Sequence, residues 1–512
     1  MGKFSKLRSA VLIGLQAREV IVESFVDKQA INHDIDIVGL GDTSIKESKK
    51  RIKSAIKSNA YPMPKGRMCI NLAPGDLKKE GTALDLPMAV SLLCCSDMVE
   101  SKNTENLFFF GELSLNGKIR KVRGLLPILI ALSSETTASL KPTVIVPVEN
   151  EEEAGLAKNL NVFLATDLRE VVGFLNGADN LKRPQSTYDS LSYNKEIDFS
   201  EIRGQKQAKR AMEIAAAGGH NLLMKGPPGS GKTMLARRLP TILPPLSEEE
   251  FLETVSLYSI SGNIDTGTFS MMRPFRSPHH SASRAAIIGG GPDAHPGEVS
   301  LAHNGVLFLD EFPEFSKDVI ESMRQPLEDA VVNISRARLS VRYPADFTLI
   351  AAQNPCPCGN YGDPERDCTC SMRDIVRYNR KLSGPVLDRI DMIIEVPRMS
   401  YNEYKHSQNE ESSQSIRERI DIAIKRQHSR FHGKAGGKNS RMSQKLISKY
   451  CVLDATSERL LEQAVSRFKL TGRGINKILR VALTISDLEG RESIETPHIA
   501  EAIQYREKSV EV

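Results

Sequence analysis

The 512-residue chain contains no tryptophan, and aromatic residues make up only 5% of it. It also lacks an apolar run of about 18 residues, the length that a transmembrane helix needs, so the sequence predicts no membrane span. The first residues lack the apolar segment of a secretory signal peptide, and we therefore expect a cytoplasmic protein. The net charge of +5 is small for this length. It neither requires nor excludes a nucleic-acid partner.

Cysteine is scarce, and half of the eight cysteines lie in apolar or mixed surroundings typical of reduced packing residues. The other four form two C-x-C pairs separated by nine residues: Cys356, Cys358, Cys368 and Cys370. Four thiolates fit around a tetrahedral Zn²⁺ and leave no open position for water, which predicts a structural zinc site. In C-x-C only one residue separates the two cysteines, whereas zinc sites usually have two, as in C-x₂-C. The alternative that these are packing or redox cysteines without a metal therefore stays open.

The most informative segment is a complete phosphate-loop pattern, G-x-x-x-x-G-K-T. It consists of Gly226, Pro227, Pro228, Gly229, Ser230, Gly231, Lys232 and Thr233. A strand-like apolar run precedes it and a helical run follows it, which is the context that this motif requires. Backbone N–H groups can turn toward phosphates, Lys232 supplies a positive charge, and the Thr233 hydroxyl can ligate Mg²⁺. The sequence therefore predicts binding of ATP with Mg²⁺.

Two further apolar strands end in polar side chains. The run 306–309 ends at Asp310 and Glu311. We predict that Asp310 holds Mg²⁺ and that Glu311 polarises the water that attacks the γ-phosphate. The run 347–353 ends at Asn354, whose amide is predicted to orient the attacking water.

Two arginines are candidates for sensing the nucleotide. In ring ATPases an arginine at the position of Arg389 often reaches the nucleotide of the neighbouring subunit and raises the rate by roughly 10³–10⁵. Arg473 begins a helix near the end of the chain, from which it could contact the γ-phosphate. The alternatives that stay open are a structural Arg473 and a pair of Arg389 with Asp388 or Asp391 in the same chain.

Composition and periodicity predict a multidomain α/β protein. Inside the second polar segment, Ser412–Arg426 has the pattern of a charged helix. The predicted segments are an N-terminal α/β domain (1–175), a linker (176–200), an α/β ATPase core with a cysteine insertion (201–398), a polar connecting segment (399–447) and a helical domain (448–512).

The ordered set of motifs resembles the ComM/YifB family of magnesium-chelatase-like AAA+ ATPases. Further supporting stretches are 273–280, 296–305, 324–329 and 480–482. The resemblance spans nearly the whole chain and implies an AAA+ core, a helical lid domain and a homo-oligomeric ring, expected to be a hexamer. It implies that Arg389 acts in trans and that Arg473 is the second sensor. It also implies a helicase that translocates single-stranded or branched DNA and drives branch migration when transforming DNA is integrated.

The segment Lys78–Ala89 resembles the active-site helix of Lon-type proteases. That resemblance implies a ribosomal-protein-S5-like fold with a serine–lysine dyad. Here Ala83 stands at the nucleophile position and Leu126 at the lysine position. Without a nucleophile or an activating amine the acyl chemistry cannot run. We therefore predict an inactive Lon-like domain used for assembly or DNA binding.

Two cationic segments are candidates for DNA contact. The helix Lys46–Lys57 carries six lysines and arginines that could neutralise phosphates. A predicted hairpin just before the Asn354 strand carries Arg336, Arg338 and Arg342. Resemblance to chelatase-clade ATPases implies that this hairpin projects toward the ring pore, where the arginines could contact phosphates. In both cases an ordinary solvated surface is the alternative. For His279 and His280 we expect a structural or pore-loop role, and a catalytic or metal-binding role stays open as the alternative.

Two other functions compete with a DNA motor. One is a chelatase motor subunit that inserts Mg²⁺ into a tetrapyrrole, against which the Lon-like domain and the cysteine cluster argue. The other is a protein remodeller whose N-terminal domain binds polypeptide. The modest net charge and the lack of an aromatic platform for DNA keep this second alternative open.

Overall fold

The structure is a computed structural model that describes residues 3–27, 34–79, 81–134, 141–185, 197–264, 269–291, 294–336, 339–363, 365–399, 410–431 and 437–507. Contacts within the chain define two compact units. The first contains residues 1–189 and 252–270, and the second contains residues 190–251 and 271–512. Within the described ranges, every helix is too short or too polar to cross a bilayer.

A mixed β-sheet forms the centre of the first unit. The strands of this unit are β1 (Lys3–Ile13), β2 (Gln16–Asp27), β3 (Ile35–Val38), β4 (Arg67–Ala73), β5 (Leu107–Phe109), β6 (Glu112–Leu113), β7 (Ile119–Arg120), β8 (Thr143–Pro147) and β9 (Asn161–Ala165). Seven of them form one sheet in the order β3-β4-β2-β1-β5-β8-β9, and β6 pairs with β7. The antiparallel β1–β2 hairpin turns through Gly14, whose φ of 62° suits glycine.

Helices cover both faces of this sheet. They are α1 (Thr43–Ser58), α2 (Asp85–Cys95), α3 (Leu125–Ser134), α4 (Glu151–Gly155) and α5 (Leu168–Leu175). Alternation along β1 directs Leu7 and Val11 to the core that contains α1, α2 and α5, and Ala10 to the core that contains α3 and α4. The first unit is therefore a layered α/β structure with a core on each side of the sheet.

The boundaries of these elements differ from the sequence prediction by a few residues. The strand predicted at Ala30–Val38 is observed at Ile35–Val38, and residues 30–33 of it lie outside the described ranges. Helix α1 begins one residue earlier than predicted because Asp42 caps it and accepts a hydrogen bond from the Ile45 N–H at 2.8 Å. Inside the predicted linker, Leu181 is buried and belongs to the first unit's core.

Helix α1 is less available to phosphates than its sequence predicts. Arg51 Nε donates to Asp85 Oδ2 at 2.6 Å, and this carboxylate is fully buried. Lys53 and Lys49 lie 2.7 Å and 3.8 Å from the carboxylate of Asp34. Half of the six cations are therefore engaged inside the first unit. The helix keeps three exposed lysines: Lys46, Lys50 and Lys57.

A parallel sheet forms the centre of the second unit. The strands of this unit are β10 (Leu222–Lys225), β11 (Phe275–Arg276), β12 (Gly289–Gly290), β13 (His295–Pro296), β14 (Val306–Leu309), β15 (Val331–Arg336), β16 (Leu339–Pro344), β17 (Thr348–Gln353) and β18 (Met392–Glu395). Five of them pair in parallel in the order β11-β14-β17-β10-β18. Their carboxyl ends meet at one edge, where α/β sheets bind ligands.

The remaining helices belong to the second unit, except for most of the helix Glu248–Ser261. In chain order they are α6 (Lys206–Gly218), α7 (Lys232–Ile242), α8 (Glu248–Ser261), α9 (Arg284–Ile288), α10 (Glu298–Leu301), α11 (Lys317–Ser322), α12 (Arg324–Asp329), α13 (Met372–Asn379), α14 (Gly384–Leu387), α15 (Ser413–Arg430), α16 (Gln444–Tyr450), α17 (Ala455–Phe468), α18 (Gly472–Leu488) and α19 (Thr496–Glu507). Residues 252–261 of α8 belong to the first unit by their contacts.

The C-terminal helices share a single hydrophobic core with the parallel sheet. Ile350 of β17, Leu461 of α17 and Ile478 of α18 belong to the same buried cluster. Helix α15 adds Ile416 and Ile420 to it. The charged helix predicted inside the polar segment 399–447 is therefore present, and it has a buried face. This helix also runs four residues beyond its predicted end at Arg426.

Asp346, which lies just before β17, joins the sheet to the C-terminal region. It accepts hydrogen bonds from Lys438 Nζ at 3.1 Å and from Arg441 Nη2 at 2.9 Å. Burial alone would raise the pKa of Asp346, but these two cations hold the pKa well below its usual range. The stabilisation is therefore present at neutral pH and is lost as the pH falls toward this lowered pKa.

We expect Asp346→Asn to lower the free energy of unfolding by about 2 kcal/mol. This loss is smaller than the loss expected on breaking a fully buried ion pair, because the Asp346 side chain is 19% exposed. Thermal denaturation of the two proteins at neutral pH measures the difference. Asp318→Asn is the control, because Asp318 is 71% exposed and lies 3.8 Å from Arg284. Equal effects of the two substitutions would contradict the stabilising role of Asp346.

The hairpin predicted before the Asn354 strand is present as β15 and β16, which pair from Val331–Pro344 to Arg336–Leu339. Arg342 on β16 is exposed. Arg338, and the side chain of Arg336, lie outside the described part of the chain. The role of these arginines toward DNA stays a prediction.

Candidate functional site

The phosphate loop joins β10 to α7 at the carboxyl edge of the parallel sheet. Gly226 must be glycine, because a Cβ atom there would lie 2.1 Å from the Val396 carbonyl oxygen. Gly229 and Gly231 adopt φ values of 78° and 90°, in the left-handed region that side chains disfavour. Helix α7 starts directly after the loop, so its free N–H groups and its dipole favour an anion at this position.

Lys232 lies in the first turn of α7, and its ammonium folds back onto the loop. Nζ donates to the carbonyl oxygens of Gly226 and Pro227 at 2.7 Å and 2.9 Å. Burial lowers the pKa of Lys232 to about 8, although the negative charges of Asp310 and Glu311 oppose this shift. A polyphosphate beside the loop would add negative charge and favour the ammonium form further.

Thr233 and Asp310 come together beside the loop, as the sequence analysis requires for a magnesium site. The Thr233 hydroxyl donates to Asp310 Oδ2 at 2.7 Å. Asp310 follows β14, which is the neighbour of β17 in the sheet. A hydroxyl and a carboxylate are hard oxygen ligands of the kind that Mg²⁺ prefers, and Mg²⁺ commonly binds through one or two such groups and phosphates. The two side chains therefore fit a magnesium ion.

Glu311 has a special backbone conformation and a partner that the sequence analysis did not identify. Its φ of 50° lies in the left-handed region, which is costly for a residue with a side chain. His280 Nδ1 lies 3.3 Å from Glu311 Oε2. His280 comes from the segment after β11, so the sheet brings a histidine and a carboxylate together from positions 31 residues apart.

Asn354 lies at the end of β17, beside β10. Its Oδ1 is 3.4 Å from Lys232 Nζ, and the Gln353 carbonyl accepts a hydrogen bond from Gly226 N–H at 3.1 Å. The structure therefore brings Asn354 to the phosphate loop. One amide (Asn354), one ammonium (Lys232) and two carboxylates (Asp310 and Glu311) therefore lie together at the phosphate loop.

Arg389 and Arg473 both lie beside Glu328, away from the described contacts of the phosphate loop. Arg389 Nη2 pairs with the carboxylate of Glu328, and Arg473 Nη2 lies 3.8 Å from the same carboxylate. Among the described contacts, neither arginine has a hydrogen bond or ion pair to the loop. The predicted alternative of an Arg389 pair with Asp388 or Asp391 named the wrong carboxylate. The contact of Arg473 with a γ-phosphate stays a prediction.

A cavity of about 270 Å³ surrounds these arginines. Its cationic lining consists of Arg389, Arg441, Arg473, Lys477 and Arg480, and its carboxylates are Glu328, Asp388 and Asp391. Within the described part of the chain, three buried polar atoms of this lining have no hydrogen-bond partner: Arg389 Nε, Ser440 Oγ and Arg480 Nε. Buried donors without acceptors are costly, so this cavity favours an anionic ligand.

The four clustered cysteines also meet. Their sulfur atoms all lie within 4.8 Å of one another. The Cys356–Cys358, Cys356–Cys368 and Cys358–Cys368 sulfur distances are 3.3, 3.6 and 3.6 Å. Thiolates bound tetrahedrally to Zn²⁺ at about 2.3 Å would lie about 3.8 Å apart. The donor set and its spacing therefore fit a zinc ion.

Backbone N–H groups support this cluster. Tyr361 N–H donates to Cys356 Sγ at 3.3 Å, and Cys358 N–H donates to Cys370 Sγ at 3.4 Å. Hydrogen bonds from the backbone, first of all from Asn360, lower the pKa of the Cys358 thiol to about 5. Backbone N–H groups also favour the thiolates of Cys368 and Cys370, but burial and the neighbouring thiols outweigh them and raise the pKa of both groups. Thiolates are the form that binds metal.

The first unit places the two positions of the protease-like motif in apolar surroundings. Ala83 is half-buried against the core that contains α3, directly before α2. Leu126 is buried in α3, and its N–H donates to Glu153 Oε2 at 3.1 Å. Neither side chain can act as a nucleophile or an amine.

Comparison with known proteins gives three family matches along the chain. Residues 198–404 match the family described as magnesium chelatase, subunit ChlI. Residues 22–150 match a family described as subunit ChlI of Mg-chelatase. Residues 410–506 match the family described as magnesium chelatase, subunit ChlI C-terminal. The matched regions cover the phosphate loop, the cysteine cluster and the C-terminal helices.

Individual proteins are similar over almost the full length. The chain is 42% identical to the uncharacterized protein YifB of Salmonella typhimurium, with 96% of this chain and 95% of that protein covered. It is 40% identical to the competence protein ComM of Haemophilus influenzae, with 97% and 96% covered. A more distant similarity, 28% identity over 181 residues, relates it to Lon protease 2 of Bacillus subtilis, covering 31% of this chain and 33% of that one.

Proposed function

We propose, from the premise that the chain belongs to the ComM/YifB family of magnesium-chelatase-like AAA+ ATPases, that it is an ATP-driven ring motor that moves DNA. In this proposal the motor is a helicase or translocase that promotes branch migration in DNA recombination or natural transformation. The ATPase part of this proposal rests on one observation. Five side chains lie together at one edge of the sheet: Lys232, Thr233, Asp310, Glu311 and Asn354. The DNA substrate is supported by the similarity to a competence protein.

In the proposed hydrolysis, each side chain of the loop region has one role. Lys232 and the loop N–H groups bind the β- and γ-phosphates, and Thr233 and Asp310 hold Mg²⁺, which neutralises phosphate charge when bound. Glu311 accepts a proton from the attacking water. Asn354 orients that water. His280, 3.3 Å from Glu311, positions this carboxylate.

We propose that the two arginines serve the nucleotide of a neighbouring copy. Arg389 and Arg473 line a cavity with unpartnered donors and share one carboxylate, Glu328. Both arginines would therefore complete the neighbour's site in trans, in a closed ring that we propose to be a hexamer. In this proposal Arg473, like Arg389, acts across the subunit interface.

The remaining parts of the chain receive supporting roles. We propose a structural Zn²⁺ at the four clustered cysteines, since their sulfur atoms lie within 4.8 Å of one another. The first unit is proposed to be an inactive Lon-like domain, since Ala83 and Leu126 stand at the dyad positions. The C-terminal helices are proposed to act as the lid of the ATPase core. Hydrolysis of ATP and free thiols both suit a cytoplasmic protein.

The test of the DNA proposal is the ATPase rate with and without DNA. We expect single-stranded, forked or four-way DNA to stimulate hydrolysis, and binding to weaken steeply as salt rises, because phosphate contacts release counterions. Each substrate is assayed at low and at physiological salt. Arg342→Ala, on the exposed hairpin strand β16, is expected to reduce the stimulation and leave the rate without DNA unchanged.

The alternatives predict different outcomes. If DNA neither binds at low salt nor stimulates hydrolysis, the helicase proposal is wrong. Stimulation by unfolded polypeptide and not by DNA would establish protein remodelling, which the modest net charge of +5 leaves as the main competitor. The ATPase assignment itself is independent of this result.

A further inference from the structure

We propose that the four-cysteine site braces the phosphate loop, so that zinc bound at the cysteines raises the affinity of the chain for ATP. The proposal rests on the ATPase assignment and on no property of DNA. It follows from contacts between the segment carrying the cysteines and one residue of the phosphate loop, Pro228.

The first contact is made by Gly359, directly after Cys358. Gly359 has a φ of 84°, and a Cβ atom there would lie 2.5 Å from Cδ and 2.6 Å from Cγ of Pro228. The backbone of the cysteine segment therefore lies against the proline ring with no room for a side chain. Gly359 N–H donates to the Cys356 carbonyl at 3.0 Å, which fixes the turn between the first two cysteines.

The second contact runs through an ion pair. Asp363 lies between the two cysteine pairs, its side chain is 1% exposed, and Oδ2 is 3.3 Å from Arg398 Nε. Arg398 Nη2 in turn lies 3.4 Å from the Pro228 carbonyl oxygen. The segment between the cysteine pairs therefore contacts the Pro228 ring directly and is linked to the Pro228 carbonyl through Arg398.

The cysteines determine whether this segment keeps its shape. The nine residues between Cys358 and Cys368 form turns and irregular structure where they are described, so few backbone hydrogen bonds hold them. A metal bound to thiolates at both ends closes the loop and reduces its freedom. Without that closure the cysteine segment no longer holds Pro228 in place. ATP binding must then also order the phosphate loop, and the entropy cost of this ordering weakens binding. Cys356 also lies two residues after Asn354, so the cysteine segment adjoins Asn354 in the chain as well as Pro228 in space.

Two glycines of this segment offer a matched pair of variants. Gly359 and Gly362 have φ values of 84° and 78°, so alanine meets a similar backbone cost at either position. An alanine Cβ at 359 would meet Pro228, whereas at 362 it would meet nothing within 4 Å. Gly359→Ala therefore perturbs the contact with the loop and leaves every thiol in place.

The experiment measures zinc content and ATP affinity in full-length protein carrying Glu311→Gln, in which bound ATP persists. We expect about one zinc per chain in the parent and in both glycine variants. Gly359→Ala is expected to weaken binding of a fluorescent ATP analogue about fivefold or more, within the range of typical couplings between sites, while Gly362→Ala binds like the parent. Removing zinc with a zinc-selective chelator is expected to weaken binding similarly.

Because coupling between two ligands is reciprocal, ATP should also slow the release of zinc to the chelator. The proposal is overturned if Gly359→Ala and Gly362→Ala bind ATP equally, if ATP leaves zinc release unchanged, or if the purified protein contains well under one zinc per chain. If instead the parent fails to bind ATP at all, the ATPase assignment is wrong, so the two failures are distinguishable.

Discussion

Replacing Glu311 with glutamine is expected to leave ATP binding intact and to slow hydrolysis by about 10²–10⁴-fold, the usual contribution of a positioned general base. Glu311 adjoins Asp310 and lies near the ammonium of Lys232. An amide keeps its shape but cannot accept the proton of the attacking water. Phosphate release measures turnover, and binding of a fluorescent ATP analogue measures affinity.

Glu314→Gln is the matched control for this prediction. Glu314 follows Glu311 by one turn and pairs with Lys381 at 2.9 Å, away from the loop. We expect this variant to hydrolyse ATP at the parent rate. Near-normal turnover of Glu311→Gln would remove Glu311 from the water-activating role. Equal losses in the two variants would indicate a general effect of lost negative charge.

Replacing Arg389 with alanine is expected to lower kcat by about 10³–10⁵-fold with little change in ATP affinity, as for an arginine that contacts the transition state from a neighbouring subunit. Arg389 Nε is buried without a partner among the described residues. The guanidinium can therefore accept an anionic ligand in its cavity. Single-turnover and steady-state rates in assembled protein separate this loss from a loss of binding.

The contact of Arg389 with Glu328 supplies the competing explanation. If Arg389 only held Glu328 in place, Glu328→Gln would reproduce the loss seen in Arg389→Ala. We expect Glu328→Gln to retain most of the activity, because Glu328 is 52% exposed and its ion pair is screened by solvent. Arg377→Ala, at a residue that is 83% exposed and pairs with Asp374, controls for the loss of a surface arginine.

The parts of the site that lie close together in the chain could be predicted from the sequence. The phosphate loop has fixed spacing, and its strand and helix lie on either side of it. Asp310, Glu311 and Asn354 follow apolar strands, and parallel strands bring their carboxyl ends to one edge. The four cysteines lie within 15 residues, 356–370, so their meeting follows from local chain geometry.

Contacts between distant segments could not be predicted in this way. The approach of His280 to Glu311, of Glu328 to both arginines and of Gly359 to Pro228 each depends on how the elements pack. Periodicity also cannot show which cation of a helix faces a buried carboxylate. For that reason the sequence counts Arg51 among the candidate cations for DNA contact, whereas it pairs with Asp85, 34 residues further along the chain.

A site shared between neighbouring copies is tested most directly by mixing two inactive variants. Glu311→Gln lacks the group that activates water but keeps Arg389. Arg389→Ala lacks the arginine but keeps Glu311. Subunits are mixed in equal amounts, exchanged, and shown to assemble before hydrolysis is measured. A head-to-tail ring contains intact sites wherever the two variants adjoin in the right order, so the mixture should recover about a quarter of the parent rate. A mixture no more active than the separate variants would contradict a site completed by the neighbouring subunit.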